Sequence, residues 1–154
     1  MGAIFFCFRE SELNDKQLFL YKNVTMGIFN GLFGSKEPKE PKPEIPWQPL
    51  TTVSQLDKIV EDSKAKPIAI YKHSTTCGIS RMVLRQIEST YDIDANQMDI
   101  YYLDLKTYRE VSNEIAARFQ VIHQSPQMIV IKNGTAVYDD SHGGVNVPAL
   151  HKYL

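Results

Sequence analysis

Cysteine is scarce in this chain: 154 residues hold two, Cys7 and Cys77, far apart and in different contexts. That excludes the disulfide scaffold of a small secreted protein, which packs more cysteines into a shorter chain. The simpler reading is a reducing, cytoplasmic setting in which a thiol is reactive rather than structural. A basic excess is also missing. The net charge is −1, and no clustered basic surface marks a nucleic-acid partner. No stretch reaches the roughly twenty apolar residues of a membrane-spanning helix. The apolar start from Gly2 to Phe8 has no basic residue before it and runs into Arg9, Glu10 and Glu12, so it is not a secretory signal either. His123, His142 and His151 lack zinc-ligand spacing, which leaves no metal set. There is no internal repeat.

What is present divides the chain in three. Residues 1–35 read as an N-terminal extension: either a disordered tail or an optional or mis-assigned stretch of reading frame, since Met26-Gly27-Ile28-Phe29 resembles a second start. Phe29, Leu32 and Phe33 leave open a third use, as an apolar foot at a membrane surface. Residues 36–49 carry Pro38, Pro41, Pro43, Pro46 and Pro49 with alternating lysines and glutamates, the composition of an extended, solvated linker. A folded domain over residues 50–154 follows, beginning near Trp47, which reads as an anchor at its edge.

Within that domain the periodicity predicts helices over 51–62, 78–90 and 107–119 and strands over 67–71, 100–105 and 127–132. Asn133-Gly134 is a strong hairpin signal with a returning strand from Thr135, and a short helix starts near Val147. Parallel strands joined by crossover helices, then a terminal hairpin and helix, make an α/β thioredoxin-like fold: a central mixed sheet of about four strands flanked by helices.

The chemistry gathers around Lys72-His73-Ser74-Thr75-Thr76-Cys77-Gly78-Ile79-Ser80, which joins a strand to a helix. Ser74, Thr75 and Thr76 are good N-cap residues, so Cys77 falls at the first helical turn. Unpaired N–H groups and the helix dipole there favour a thiolate. Cysteines at helix starts have pKa values brought down from ~8.5 to about 3.5–7.5, and only the thiolate attacks disulfide sulfur. Lys72 and His73 add to the effect if they turn inward. Ser80 stands where a dithiol enzyme carries its second cysteine; it cannot close a disulfide, but it can donate a hydrogen bond to the thiolate. The resolving thiol must then come from a second molecule. Ser125-Pro126 precedes the apolar strand where thioredoxin folds place a cis-proline, leaving the backbone before it open to an extended substrate. Thr76, Gly78, Ser125 and Pro126 are the expected substrate-binding residues. Gly143-Gly144 is either a backbone cradle for carboxylates or a simple turn.

The string from Tyr71 to Ser80, with Ser125-Pro126-Gln127 and Lys132-Asn133-Gly134, resembles the monothiol bacilliredoxins, the YtxJ-like proteins of the bacillithiol system, over about Leu50 to the C-terminus. The family pattern has proline after the cysteine, where this chain has Gly78, and no counterpart of residues 1–46. The resemblance implies an oxidoreductase that removes bacillithiol, or a similar low-molecular-weight thiol, from protein mixed disulfides. It implies no tightly bound cofactor; the small thiol is co-substrate, and the partners are S-thiolated proteins and a flavoprotein disulfide reductase. Cys-Gly-x-Ser is similar to monothiol glutaredoxins as well. The alternative is therefore a non-catalytic binding domain or an iron–sulfur carrier, without phenylalanine where Ile79 stands.

Under oxidation the absent second cysteine has a direct consequence. Cys7 lies before a long proline-rich spacer, and effective concentration falls as a linker lengthens and stiffens. An oxidised small-thiol disulfide is expected to convert the protein to a mixed disulfide on Cys77, one adduct per chain, which excess reduced thiol removes. Peptide mapping by mass spectrometry checks it; a Cys7–Cys77 disulfide as the main product would contradict it.

Overall fold

The computed structural model describes residues 44–154. The extension, most of the linker, the candidate membrane foot and Cys7 lie outside the described residues. Among the described residues five strands and four α-helices follow in order: β1 (Trp47–Pro49), α1 (Ser54–Asp62), β2 (Ile68–His73), α2 (Gly78–Thr90), β3 (Asp99–Asp104), α3 (Arg109–Phe119), β4 (Gln127–Lys132), β5 (Thr135–Ser141) and α4 (Val147–Leu150). Short 3₁₀ turns flank α4 at His142–Gly144 and His151–Tyr153. The sheet order is β1-β3-β2-β4-β5. β1 and β2 both run parallel to β3, while β2–β4 and β4–β5 are antiparallel.

The sheet has five strands rather than about four. The extra one, β1, lies in the segment read as linker. It pairs Trp47 with Ile100 and Pro49 with Tyr102. A three-residue edge strand tolerates its proline, because no ladder N–H is needed on the open side, and it is too short to show a period.

Two cores sandwich the sheet. Residues of β2 alternate between them: Ala69 and Tyr71 join Val83 and Ile87 of α2 and Leu150 of α4, whereas Ile68 and Ile70 join Ile59 of α1 and Ile115 of α3. Every residue of β2 is buried, which explains its nearly continuous apolar run. β5, at the other edge, alternates exposed and half-buried positions.

Local side chains set the boundaries that periodicity misplaces. α1 starts at Ser54 rather than Thr51 because the Gln55 carboxamide accepts the N–H groups of Thr51 (2.8 Å) and Thr52 (2.9 Å), holding both outside the helix. α3 starts at Arg109 because Asp104 accepts from the Lys106 N–H (3.1 Å) and the Thr107 hydroxyl (2.8 Å), forming a turn. Asn133 and Gly134 both have positive φ, 53° and 76°, as a tight hairpin turn requires. Their N–H groups donate to the Ser63 carbonyl and hydroxyl, which pins the hairpin to the end of α1.

Candidate active site

β2 ends at His73, and a short loop leads to α2. Cys77 is the N-cap of α2, in extended conformation (φ −93°, ψ 124°), half-buried and a free thiol. Its N–H donates to the Ser74 carbonyl (3.1 Å), closing the turn, and its side chain makes no capping bond. The sulfur therefore stands at a helix start without competing for the first-turn N–H groups. Gly78 and Ile79 beside it are exposed.

Ser80 is fully buried one turn along. Its oxygen accepts the Ser74 N–H (2.9 Å) and lies 3.0 Å from His73 Nδ1. Burial lowers the His73 pKa, against the neighbouring charge of Asp104, and the Ser80 hydroxyl and the imidazole share this hydrogen bond. The described bonds of the Ser80 hydroxyl go to Ser74 and His73 rather than to Cys77, and they staple the end of β2, the loop and α2 together. Tyr71 strengthens the same junction by donating to the Ser80 carbonyl (3.0 Å).

His73 turns toward α2 and lies against Tyr102 (5.5 Å between centroids) and Tyr71 (6.0 Å). Trp47 packs on Tyr71 and edge-on to Tyr102, the anchoring position expected of it. Lys72 does not turn inward with His73. It faces the opposite core, fully buried, with Nζ 3.1 Å from both His123 Nδ1 and Gln127 Oε1. Burial, with the charge of Arg109, brings its pKa down to about 8. The loop is held from outside: Lys106 donates to the Thr76 hydroxyl (3.1 Å) and Arg81 to the Thr75 carbonyl (3.2 Å).

The Ser125-Pro126 bond is cis. Lys72 is in register with Gln127, so Pro126 and the Cys77 loop share one end of the sheet. The Pro126 carbonyl accepts from the His142 N–H (3.0 Å). The Ser125 hydroxyl is buried with no hydrogen-bond partner among the described residues. Gly143-Gly144 forms the 3₁₀ turn before α4. A Cβ on Gly144 would lie 2.0 Å from an Asp140 carboxylate oxygen. A carboxylate already fills the concavity, so the turn fits and the carboxylate cradle does not. Among the described residues no cluster of His, Cys, Asp or Glu is placed to hold a metal ion, and no helix is long and apolar enough to cross a membrane.

The sequence reading missed Tyr102, His123 and Gln127. Lys72's direction was available from the alternation of β2: residues 68, 70 and 72 share a face.

The model of the monothiol bacilliredoxin family BrxC matches residues 48–150. A solved thioredoxin-fold protein proposed to be an oxidoreductase is 33% identical, with a TM-score of 0.58 over 68% of this chain and 89% of that one. Malassezia sympodialis thioredoxin (Mala s 13) is 18% identical with a TM-score of 0.57, covering 76% of this chain and 94% of its own. Fasciola hepatica thioredoxin is 22% identical with a TM-score of 0.53, covering 69% and 94%. At those identities the two thioredoxins share the fold alone. A thioredoxin fold with a free cysteine capping the helix after its central strand defines a thiol redox protein. Within that class, this chain belongs to the monothiol bacilliredoxin family BrxC.

Two outcomes follow from this geometry. A Cβ on Gly78 meets nothing within 4 Å, and Cys77 already has the extended backbone that a residue before proline prefers. Gly78→Pro is expected to stabilise the fold by about 0.4–1 kcal/mol, read by denaturant titration; a loss of stability would mean that the Gly78 N–H is needed. For Lys72, below pH 8 folded and unfolded chains both hold the proton. Above it the folded chain releases it first, so stability rises with pH until the unfolded value of 10.5 is passed. Wild type should gain on the order of 2–3 kcal/mol on the Lys72→Met variant across that window, measured by denaturation at each pH; a flat difference would contradict it.

Proposed function

We propose that the protein removes bacillithiol, or a closely similar small thiol, from protein mixed disulfides through Cys77. The Cys77 thiolate attacks the bacillithiol sulfur of a protein–S–S–bacillithiol disulfide. The protein thiolate leaves and takes a proton, and the bacillithiol is now bonded to Cys77. A second bacillithiol thiolate attacks the bacillithiol sulfur of that adduct, releasing Cys77 as thiolate and forming bacillithiol disulfide. Two electrons from a flavoprotein disulfide reductase return the disulfide to the free thiol. No sulfur is gained or lost on the enzyme, so one cysteine suffices.

The observation that carries this reading is Cys77 at the α2 N-cap with Ser80, a hydroxyl, one turn on. With no second sulfur at that place, the adduct persists until an external thiol removes it. The first-turn N–H groups of α2 favour the negative sulfur. Thr76 and Gly78 flank it on the open side, and the backbone at Ser125, ahead of cis-Pro126, receives the substrate chain in an extended conformation. Ser80 acts through the loop, by holding Ser74 and His73 in place.

A purified thiolated protein, bacillithiol and the enzyme test this directly. Cys77→Ser is expected to abolish release of the small thiol while keeping the fold. Ser80→Ala, which leaves the Ser74 N–H and His73 Nδ1 without their shared partner, should slow release several-fold without abolishing it. Turnover by Cys77→Ser would overturn the assignment of the nucleophile. Release of glutathione at the same rate as bacillithiol would overturn the choice of small thiol.

A further inference from the structure

The buried lysine on the far side of the sheet has no role in the exchange chemistry derived above. Lys72 is completely enclosed, and among the described residues no carboxylate pairs with it. An enclosed ammonium without a counter-ion is costly, and an apolar side chain of similar length would fill the space without that cost. What the ammonium provides is a pair of directed hydrogen bonds, and both end on the segment that carries the cis-proline. One goes to His123 Nδ1 within the loop, the other to Gln127 Oε1 at its base.

Gln127 extends the reach of that second bond. The same Oε1 accepts the Gln124 N–H (3.2 Å), and Nε2 donates to the Ile122 carbonyl (2.9 Å) and to Asp139 on β5 (3.3 Å). His123 Nδ1 also lies 3.3 Å from the Ser112 hydroxyl of α3. Lysine can only donate, so Nδ1 accepts and the ring proton sits on Nε2. On the other side the loop is tied to β5 and the turn after it, through Ser141 to Gln124 Oε1 and through the His142 N–H to the Pro126 carbonyl. None of these bonds reaches α2 or Cys77.

We propose that Lys72 is a positioning residue for substrate docking: through His123 and Gln127 it holds the 122–126 loop from behind the sheet, and so fixes the Ser125 backbone that receives the substrate chain. The inference rests on the exchange reaction proposed above and adds a division of labour to it. The α2 face carries the sulfur chemistry. The α3 face carries a polar brace whose only output is the shape of the docking loop.

The test uses the full chain with Lys72→Met, which keeps the length of the side chain and removes its donors. With a bacillithiolated protein as substrate, KM should rise about fivefold or more while kcat stays within about twofold. The reaction of Cys77 with a small aromatic disulfide, too short to use the docking loop, should stay within about twofold of wild type. Amide hydrogen exchange should quicken across residues 122–127 and stay unchanged in α2. Gln127→Leu removes the brace from its other end and should give the same pattern; it decides the matter if Lys72→Met does not fold. A parallel fall in both reactions, or unchanged exchange in the loop, would overturn the inference. The exchange measurement needs no substrate: wild type lacking bacillithiol release would sink the proposed function alone, while the loop data would still judge the brace.

Discussion

The pairing of β2 between β3 and β4 governs the rest of the molecule. β2 is buried along its length, so a slip of one residue would exchange its two faces and put Ile68 and Ile70 where Ala69 and Tyr71 belong. That same register sets His73 opposite Asp104 on one side and Lys72 opposite Gln127 on the other. Where β2 stops, the chain must turn into α2, and Cys77 caps the helix. Where β4 starts, the chain has just passed Pro126. The cysteine and the cis-proline share one end of the sheet because two unrelated loops are anchored to adjacent rows of one strand pair.

Alternation along β2 then gives the site two sides. His73 points to the α2 core and ends up in a stack with Tyr71 and Tyr102, bonded to Ser80. Lys72, its immediate neighbour, points to the α3 core and bonds the proline loop. Two adjacent residues of one strand thus hold two different loops, one on each face. This is why the two side chains do not act together beside the sulfur, although in the sequence they stand side by side, four and five residues before it.

Much of this was legible in the amino-acid order. The β4 run Gln-Met-Ile-Val-Ile-Lys and the 78–90 helix have the bounds their patterns suggest, because each is long, periodic and closed by unambiguous residues. The cis bond before Pro126 was legible only from the order of elements, since nothing local to Ser-Pro demands it. What could not be read was decided by side chains reaching back to the main chain. Gln55 and Asp104 each stop a helix pattern from extending toward the N-terminus. β1 gains its ladder partner only from the distant β3, and its Trp-Gln-Pro sequence shows no strand period. The partner of Ser80 was equally hidden. A hydroxyl three residues after a cysteine invites a bond to sulfur, whereas the fold offers it a closer backbone N–H and a buried imidazole.

That substitution bears on why one cysteine is enough. A second cysteine at position 80 would occupy a fully buried site whose present bonds hold the loop in shape. Sulfur is larger than oxygen and a weak acceptor, so it would fill the space and serve the Ser74 N–H and His73 Nδ1 poorly. The serine therefore stabilises the loop conformation that puts Cys77 at the cap, in the same act that removes an internal route for resolving the adduct. Gly78 pulls the other way. It leaves open space at the start of α2 and loosens the first turn. The loop is accordingly fastened by side chains on both flanks: Ser80 from beneath, and Lys106 and Arg81 from the surface. A seat braced beneath the sulfur and open space at Gly78 suit the exchange proposed above, in which Cys77 attacks a thiolated protein and is then released when a free small thiol attacks the adduct.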